Sequence, residues 1–147
     1  MSIMNKTISI LVVDDHPIVR GGIKTMLEMG KFESYSFQVK EAGNILDALK
    51  LTDQYAFHLI VTDSQLGKHS GAELTKSLLR LSPEQSVLGF SESDDMNVVE
   101  HMLKAGAKGF IKKSVDTVPT WIYRNIYEII CWVRIYVCFF SLNVYLS

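Results

Sequence analysis

Three short runs of consecutive apolar residues do most to limit what this chain can fold into. "ISILVV" (8–13), "FHLIVTD" (57–63) and "SVLGF" (86–90) are rich in β-branched and aromatic residues. A strand that is apolar on both faces must be covered on both faces, which is the pattern of a parallel sheet flanked by helices. The segments between these runs read as helices. Pro17 suits a first helical turn, and Val19, Ile23, Met26 and Leu27 then recur at helical spacing up to a stop at Gly30. "NILDALKLT" (44–52) begins on Asn44, a capping residue, and "GAELTKSLLRL" (71–81) sets Leu74, Leu78 and Leu81 on one side. "DDMNVVEHMLKAGA" (94–107) starts acidic and ends at Gly106, the order that the helix dipole favours. "SFQVKE" (36–41) alternates like a more exposed strand, and "KGFI" (108–111) makes a fifth. The expected fold is α/β, a doubly wound five-stranded parallel sheet with helices on both faces.

In such a sheet, ligands bind beyond the carboxyl ends of the strands, near the point where strand order reverses. The residues at those ends are chemically unusual. Asp14 and Asp15 follow the first strand, Asp63 the third, Ser91 the fourth and Lys113 the fifth. Taken singly, each has a plain explanation: a capping pair, a turn aspartate, a loop serine, a solvated lysine. Taken together, they converge on one edge. Three carboxylates there repel one another, and a hard divalent cation such as Mg²⁺ relieves the repulsion. A fixed ammonium and a hydroxyl complete a pocket for a transferring phosphoryl group, in which one carboxylate serves as nucleophile. His16, His58, His69 and His101 lack partners at ligand spacing, so none is expected to bind a metal or act as a base.

Composition removes several other classes. A net charge of -1 gives no bulk electrostatic case for nucleic acid or an anionic membrane. The two cysteines, Cys131 and Cys138, match no metal motif and are too few for a disulfide framework, so a reducing, cytoplasmic setting is expected. The first apolar run is too short for a signal peptide and ends in carboxylates.

The motifs in place, the chain resembles a CheY-like response regulator receiver domain over roughly residues 7–116. "LVVDDHPIVRGGIKTML" is similar to the opening of NarL/FixJ-type regulators, and "AGAKGFIKKS" to their fifth-strand region. The resemblance implies a flavodoxin-like fold and a His-Asp phosphorelay with Asp63 as phosphoacceptor. Asp15, Asp63 and the backbone carbonyl of Gln65 would hold Mg²⁺, with Asp14 acting mostly through water. Lys113, preferred over Lys112 by its spacing from Gly109, would pair with the phosphoryl group, and Ser91 would donate a hydrogen bond to it. Phe110 would be the aromatic switch residue, and Gln65 and Ser93 would flank the nucleophile. The implied partner is a sensor histidine kinase or phosphotransfer protein. Self-phosphorylation of this kind is not turnover, so the chain is not expected to be an enzyme.

Two regions depart from that family. In "DSQLGKHSG" (63–71), Gly67 stands where proline is common and Ser70 where an acidic residue is common, and the glycine is expected to loosen the loop. The boundary is drawn at 1–118 for the receiver and 119–147 for an apolar aromatic tail holding both tryptophans and both cysteines. No helix-turn-helix pattern follows the receiver, so direct DNA binding by this chain is not expected. The uncharged part of the tail is too short for a helical membrane span. The tail reads as a fifth helix, a membrane-surface segment or, preferred, an aberrant terminus. The rival function is a phosphorylation-independent interaction module that forms a homodimer or a heterodimer with a full-length regulator. An aspartyl phosphatase is disfavoured, because that class wants an aspartate where Gln65 stands.

Overall fold

The computed structural model describes residues 6–30, 35–93, 95–113 and 117–124. Its main sheet is built from β1 (Lys6–Val13), β2 (Tyr35–Ala42), β3 (Leu59–Asp63), β6 (Val87–Ser91) and β7 (Gly109–Lys112). Two-residue strands β4 (Gln65–Leu66) and β5 (His69–Ser70) form a separate hairpin. The helices are α1 (Pro17–Met29), α2 (Ile45–Gln54), α3 (Gly71–Leu81), α4 (Met96–Lys104) and α5 (Thr117–Arg124).

All neighbours in the five-stranded sheet are parallel, in the order β2-β1-β3-β6-β7. The chain leaves β1 for β2 on one side and later returns to β3 on the other, so the order reverses between β1 and β3. Alternate residues of each strand serve opposite faces. Ile8, Ile10 and Val12 of β1 join Val61, Phe90 and Ile111 under α1 and α5, where Ile23, Leu27, Trp121 and Ile122 close the layer. Leu11 and Val13 join Ile60 and Val87 on the other face, covered by Ala48 of α2 and Leu74 and Leu78 of α3. Leu81, expected on that same side, is 74% exposed, because it falls in the last turn of α3, beyond the sheet. The tail boundary at 118/119 falls inside α5. Pro119 sits in that helix's first turn, where its missing N–H costs nothing. The rest of the 119–147 tail, from 125 onward, lies outside the described residues, as do the tail's two cysteines.

The free edge of β2 is blunted from α1. Lys24 Nζ donates to the Val39 carbonyl at 2.7 Å, and Val39 N–H donates to Glu28 Oε1 at 3.0 Å, while Lys24 and Glu28 pair with each other. The outward N–H and C=O of Val39, in the middle of this edge strand, are thereby occupied by side chains.

A second local device links β1 to the loop before β3. Ser9 N–H donates to His58 Nδ1 at 3.0 Å, and His58 N–H donates to the Ser9 carbonyl at 2.8 Å. His58 therefore has a partner, although the backbone that supplies it is 49 residues distant in sequence. Burial, with the charge of Lys6, lowers the His58 pKa. A depressed folded-state value contributes stability that is present above the unfolded value of about 6.5 and lost as pH falls through the folded one. Moving from pH 7.5 to 5.5 should destabilise the protein more than it does His58→Asn, whose amide oxygen can accept the same N–H. Parallel denaturant titrations of the two proteins at both pH values measure the difference.

Candidate functional site

The carboxyl edge of the sheet gathers the acidic groups because β1 and β3 end side by side at the order reversal. Asp14 follows β1; its N–H donates to the Ala42 carbonyl at 3.1 Å, and its side chain is fully buried. Asp14 Oδ1 accepts the His16 N–H at 2.8 Å, a tight turn just before α1, and no side chain caps that helix. Asp63 is the last residue of β3 and is 6% exposed. Its Oδ1 accepts the Gln65 N–H at 3.2 Å, and its Oδ2 accepts a hydrogen bond from Lys113 Nζ at 3.1 Å. Lys113 follows β7, where its N–H donates to the Ser91 carbonyl at 2.7 Å. The ammonium lies 2.7 Å from Asp14 Oδ2 and so stands between two buried carboxylates. Lys112, one residue earlier, is exposed.

The charges set one another's protonation. Burial raises the Asp63 pKa and the negative charge of Asp14 adds to this, outweighing the Gln65 N–H and Lys113, so the net shift is upward. Burial would also raise Asp14, but Lys113 and the His16 backbone and ring overcome it, and Asp14 is held below the usual carboxylate range. Lys113 loses water, which would lower its pKa, yet its two carboxylate partners carry it above the ordinary lysine value. The ammonium is thus locked in its charged form.

A cleft of about 420 Å³ opens over these groups, lined by Asp15, His16, Asp63, Gln65, Ser91 and Lys113 among others. A larger cleft of about 710 Å³, between the ends of α2 and α3, contains none of them. Ligand atoms of Asp14, Asp15, His16 and Asp63 lie within 4.8 Å of one another. Three carboxylates face one lysine, which leaves the cleft with excess negative charge. Asp14 Oδ2 is buried, with the Lys113 ammonium at 2.7 Å as its counter-charge. Oxygen donors in this arrangement fit a hard divalent cation.

His16 corrects an expectation. Its Nδ1 stands 3.0 Å from Oδ1 of both Asp14 and Asp15, so the ring has local partners after all. The helix start at Pro17 turns the ring back over the two preceding residues, a geometry that ligand-spacing rules do not describe. His69 likewise pairs with Glu73 at 3.0 Å.

The loop after Asp63 is also different from expectation. Instead of loosening it, Gly67 takes a φ of +64° in the two-residue turn of the β4–β5 hairpin, a conformation that glycine adopts at little cost. Ser70, in the place of a carboxylate, caps α3: Glu73 N–H donates to its Oγ at 3.1 Å, and Ser70 N–H donates back to Glu73 Oε2 at 3.3 Å.

Ser91 ends β6, 6% exposed, where it lines the cleft and its Oγ accepts the Ser93 N–H at 3.1 Å. Phe110 is 2% exposed and packs with Val99, Met102 and Ala107. Gly89 makes its room: a Cβ there would come within 2.8 Å of the Phe110 ring and the Met102 methyl.

An acidic cluster, a lysine and a hydroxyl thus meet at the switch point of a parallel α/β sheet. The response regulator receiver domain family model matches residues 10–119, and the chain belongs to that family. Among curated proteins, it is 34% identical over 110 residues to the transcriptional regulatory protein DegU of Brevibacillus brevis, covering 74% of this chain and 45% of that one. It is 37% identical over 105 residues to the transcriptional activator protein ExaE of Pseudomonas putida, covering 71% and 48%. The chain therefore spans about half the length of the curated relatives it matches. A LuxR-family two-component response regulator from Aurantimonas sp. SI85-9A1 superposes with a TM-score of 0.74 at 26% identity, covering 95% of this chain and 93% of that one. A CheY-like receiver domain from Methanospirillum hungatei JF-1 shares the fold, with a TM-score of 0.70 at 24% identity over 84% and 97%. These relatives place the chain among NarL/LuxR-type receivers of two-component signalling.

Proposed function

We propose that this chain is the phosphoacceptor of a His-Asp phosphorelay, modified on Asp63. The observation that carries the reading is the Asp63 carboxylate, held at the mouth of the cleft with one oxygen on Lys113 Nζ and the other on the Gln65 N–H. An Asp63 oxygen attacks the phosphorus of a phosphohistidine presented by a sensor kinase or phosphotransfer protein. The new O–P bond forms as the P–N bond breaks, and the imidazole leaves with its electron pair. Lys113 balances charge on the transferring group, and the Ser91 hydroxyl donates to one of its oxygens. Asp15, Asp63 and the Gln65 carbonyl would hold Mg²⁺, with Asp14 acting through water; bound there, the ion supplies charge neutralisation for the incoming phosphoryl oxygens. Ser91, drawn toward the phosphoryl group, changes what Phe110 packs against and so biases β6, α4 and β7 between two arrangements that alter dimer or partner contacts. The proposed setting is cytoplasmic. No helix among the described residues is long and apolar enough to cross a membrane.

The test is intact mass after incubation with Mg²⁺ and acetyl phosphate. The unmodified chain should gain one phosphoryl group, lose the gain when Mg²⁺ is chelated, and show none in Asp63→Ala. A folded, Mg²⁺-supplied chain that gains no mass overturns the reading and favours a phosphorylation-independent interaction module.

A further inference from the structure

The acidic end of β1 is held by a residue outside the cleft. Arg20, one turn into α1, reaches back so that Nη1 donates to the Asp14 carbonyl at 2.6 Å. The same guanidinium places Nε 3.5 Å from Glu41 Oε1 near the end of β2, too far for a hydrogen bond, and the side chain is only 17% exposed. It passes over Gly43, where a Cβ would come 3.2 Å from Nη1. The Asp14 peptide is consequently tied on both sides: its N–H to the Ala42 carbonyl at 3.1 Å, its C=O to Arg20. The next peptide carries Asp15. The backbone that carries the two aspartates cannot shift without breaking the 2.6 Å bond from Arg20.

We propose that Arg20 is a positioning residue for the divalent-cation site, a guanidinium clamp on the Asp14 peptide that orients the Asp14 and Asp15 carboxylates. The inference rests on the cation binding proposed above. Arg20 touches neither the metal position nor the phosphoryl group; it acts through the backbone between them and the sheet. Outer partners that orient ligands in this way typically contribute about 10–100-fold to metal affinity. Lysine is a poor substitute, because its compact, strongly hydrated ammonium lacks the planar, pre-organised guanidinium that reaches the Asp14 carbonyl.

The experiment compares the unmodified chain with Arg20→Ala, Arg20→Lys, Gly43→Ala and, as control, Lys24→Ala. Lys24 is on the same helix and contacts Glu28 and Val39, away from the Asp14 loop. Mg²⁺ affinity is measured by calorimetry, and phosphoryl uptake is measured at saturating Mg²⁺. Arg20→Ala should raise the Mg²⁺ Kd roughly 10–100-fold, with Arg20→Lys between it and the unmodified chain. Uptake at saturating Mg²⁺ should stay within about twofold, since the nucleophile, Lys113 and Ser91 are untouched. Lys24→Ala should leave Kd unchanged even where it lowers the melting temperature. Gly43→Ala, which displaces the guanidinium without removing it, should weaken Mg²⁺ binding severalfold and stands in if Arg20→Ala fails to fold. An unchanged Kd in folded Arg20→Ala, or in Gly43→Ala where that variant stands in, overturns the clamp and leaves the phosphoacceptor reading intact. Failure of the unmodified chain to bind Mg²⁺ overturns both.

Discussion

Gly71→Ala should be among the most damaging single substitutions in this chain, costing about 3 kcal/mol or more and removing phosphoryl uptake with it. A Cβ at Gly71 would overlap the Asp63 carbonyl oxygen, stand 3.0 Å from the Asp63 carbonyl carbon and 3.1 Å from Ser64 Cα. Those are backbone atoms, so no side-chain rotation relieves the contact. Overpacking of a core that can relax costs about 1–3 kcal/mol, and this backbone is pinned: Gly71 N–H donates to the Ser64 carbonyl at 2.8 Å, and Ser64 N–H to the Phe90 carbonyl at 3.0 Å. Relief must come from moving the end of β3, which carries Asp63, or the start of α3. For a chain of this size, 3 kcal/mol corresponds to a fall of roughly 6–12 °C in melting temperature. The contrast is Gly22→Ala. Nothing lies within 4 Å of a Cβ at Gly22, in the interior of α1, and alanine there should stabilise by about 0.5–1 kcal/mol. Calorimetric melting of both variants, with intact mass after acetyl phosphate, measures the pair. A Gly71→Ala protein that melts within 2 °C of the unmodified chain would show that the close approach is not a constraint.

Gly71 marks where sequence reasoning stops. Strand and helix order were readable because the sheet is buried on both faces and writes itself as consecutive apolar runs, and because caps and stops at Pro17, Gly30, Asn44 and Gly106 punctuate the helices. The assembly of Asp14, Asp15, Asp63, Ser91 and Lys113 followed from one topological rule: parallel strands end on the same edge. Of the two adjacent lysines, Lys113, preferred on family spacing, has its ammonium between Asp14 and Asp63.

What stayed hidden depends on contacts between distant segments. Arg20 belongs to α1 by sequence and to the acidic loop by its hydrogen bond. Nothing in "IVRGG" says which way the side chain turns. His16 has no ligands at regular spacing in the sequence, yet its ring meets Asp14 and Asp15 at the start of α1. The hairpin at 65–70 was read as a loosened loop because a glycine's freedom and a glycine's requirement look alike until φ is known. Strand ends were misplaced by a residue or two for a simpler reason: β6 extends through Ser91 by pairing with Lys112, a partner that local propensity does not see.

Lys113→Met should be destabilising in metal-free buffer at neutral pH by about 3 kcal/mol, the scale on which removing one partner leaves a buried charge uncompensated. The ammonium is within 3.1 Å of Asp63 Oδ2 and 2.7 Å of Asp14 Oδ2, and the Lys113 and Asp14 side chains are 10% and 0% exposed. The two carboxylates contribute to stability with opposite signs. Asp14, with its lowered folded-state pKa, contributes stability present above its unfolded value and lost as pH falls through the folded one. Asp63, with its raised pKa, binds its proton more tightly when folded, so its contribution is present below the unfolded value and lost as pH rises through the folded one. At neutral pH an ionised Asp63 therefore costs stability, and Lys113 offsets that cost. Three consequences separate this account from mere loss of packing. Asp63→Asn alone should stabilise the metal-free protein. Asp63→Asn added to Lys113→Met should recover much of the loss, as a double-mutant cycle would measure. Lowering the pH from 7.5 toward 5 should narrow the gap between Lys113→Met and the unmodified chain, because Asp63 takes up a proton in place of its ion pair. Denaturant midpoints for the four proteins at both pH values, in the presence of a chelator, decide the matter. A Lys113→Met protein as stable as the unmodified chain at pH 7.5 would mean that solvent in the open cleft, rather than the ammonium, carries the counter-charge.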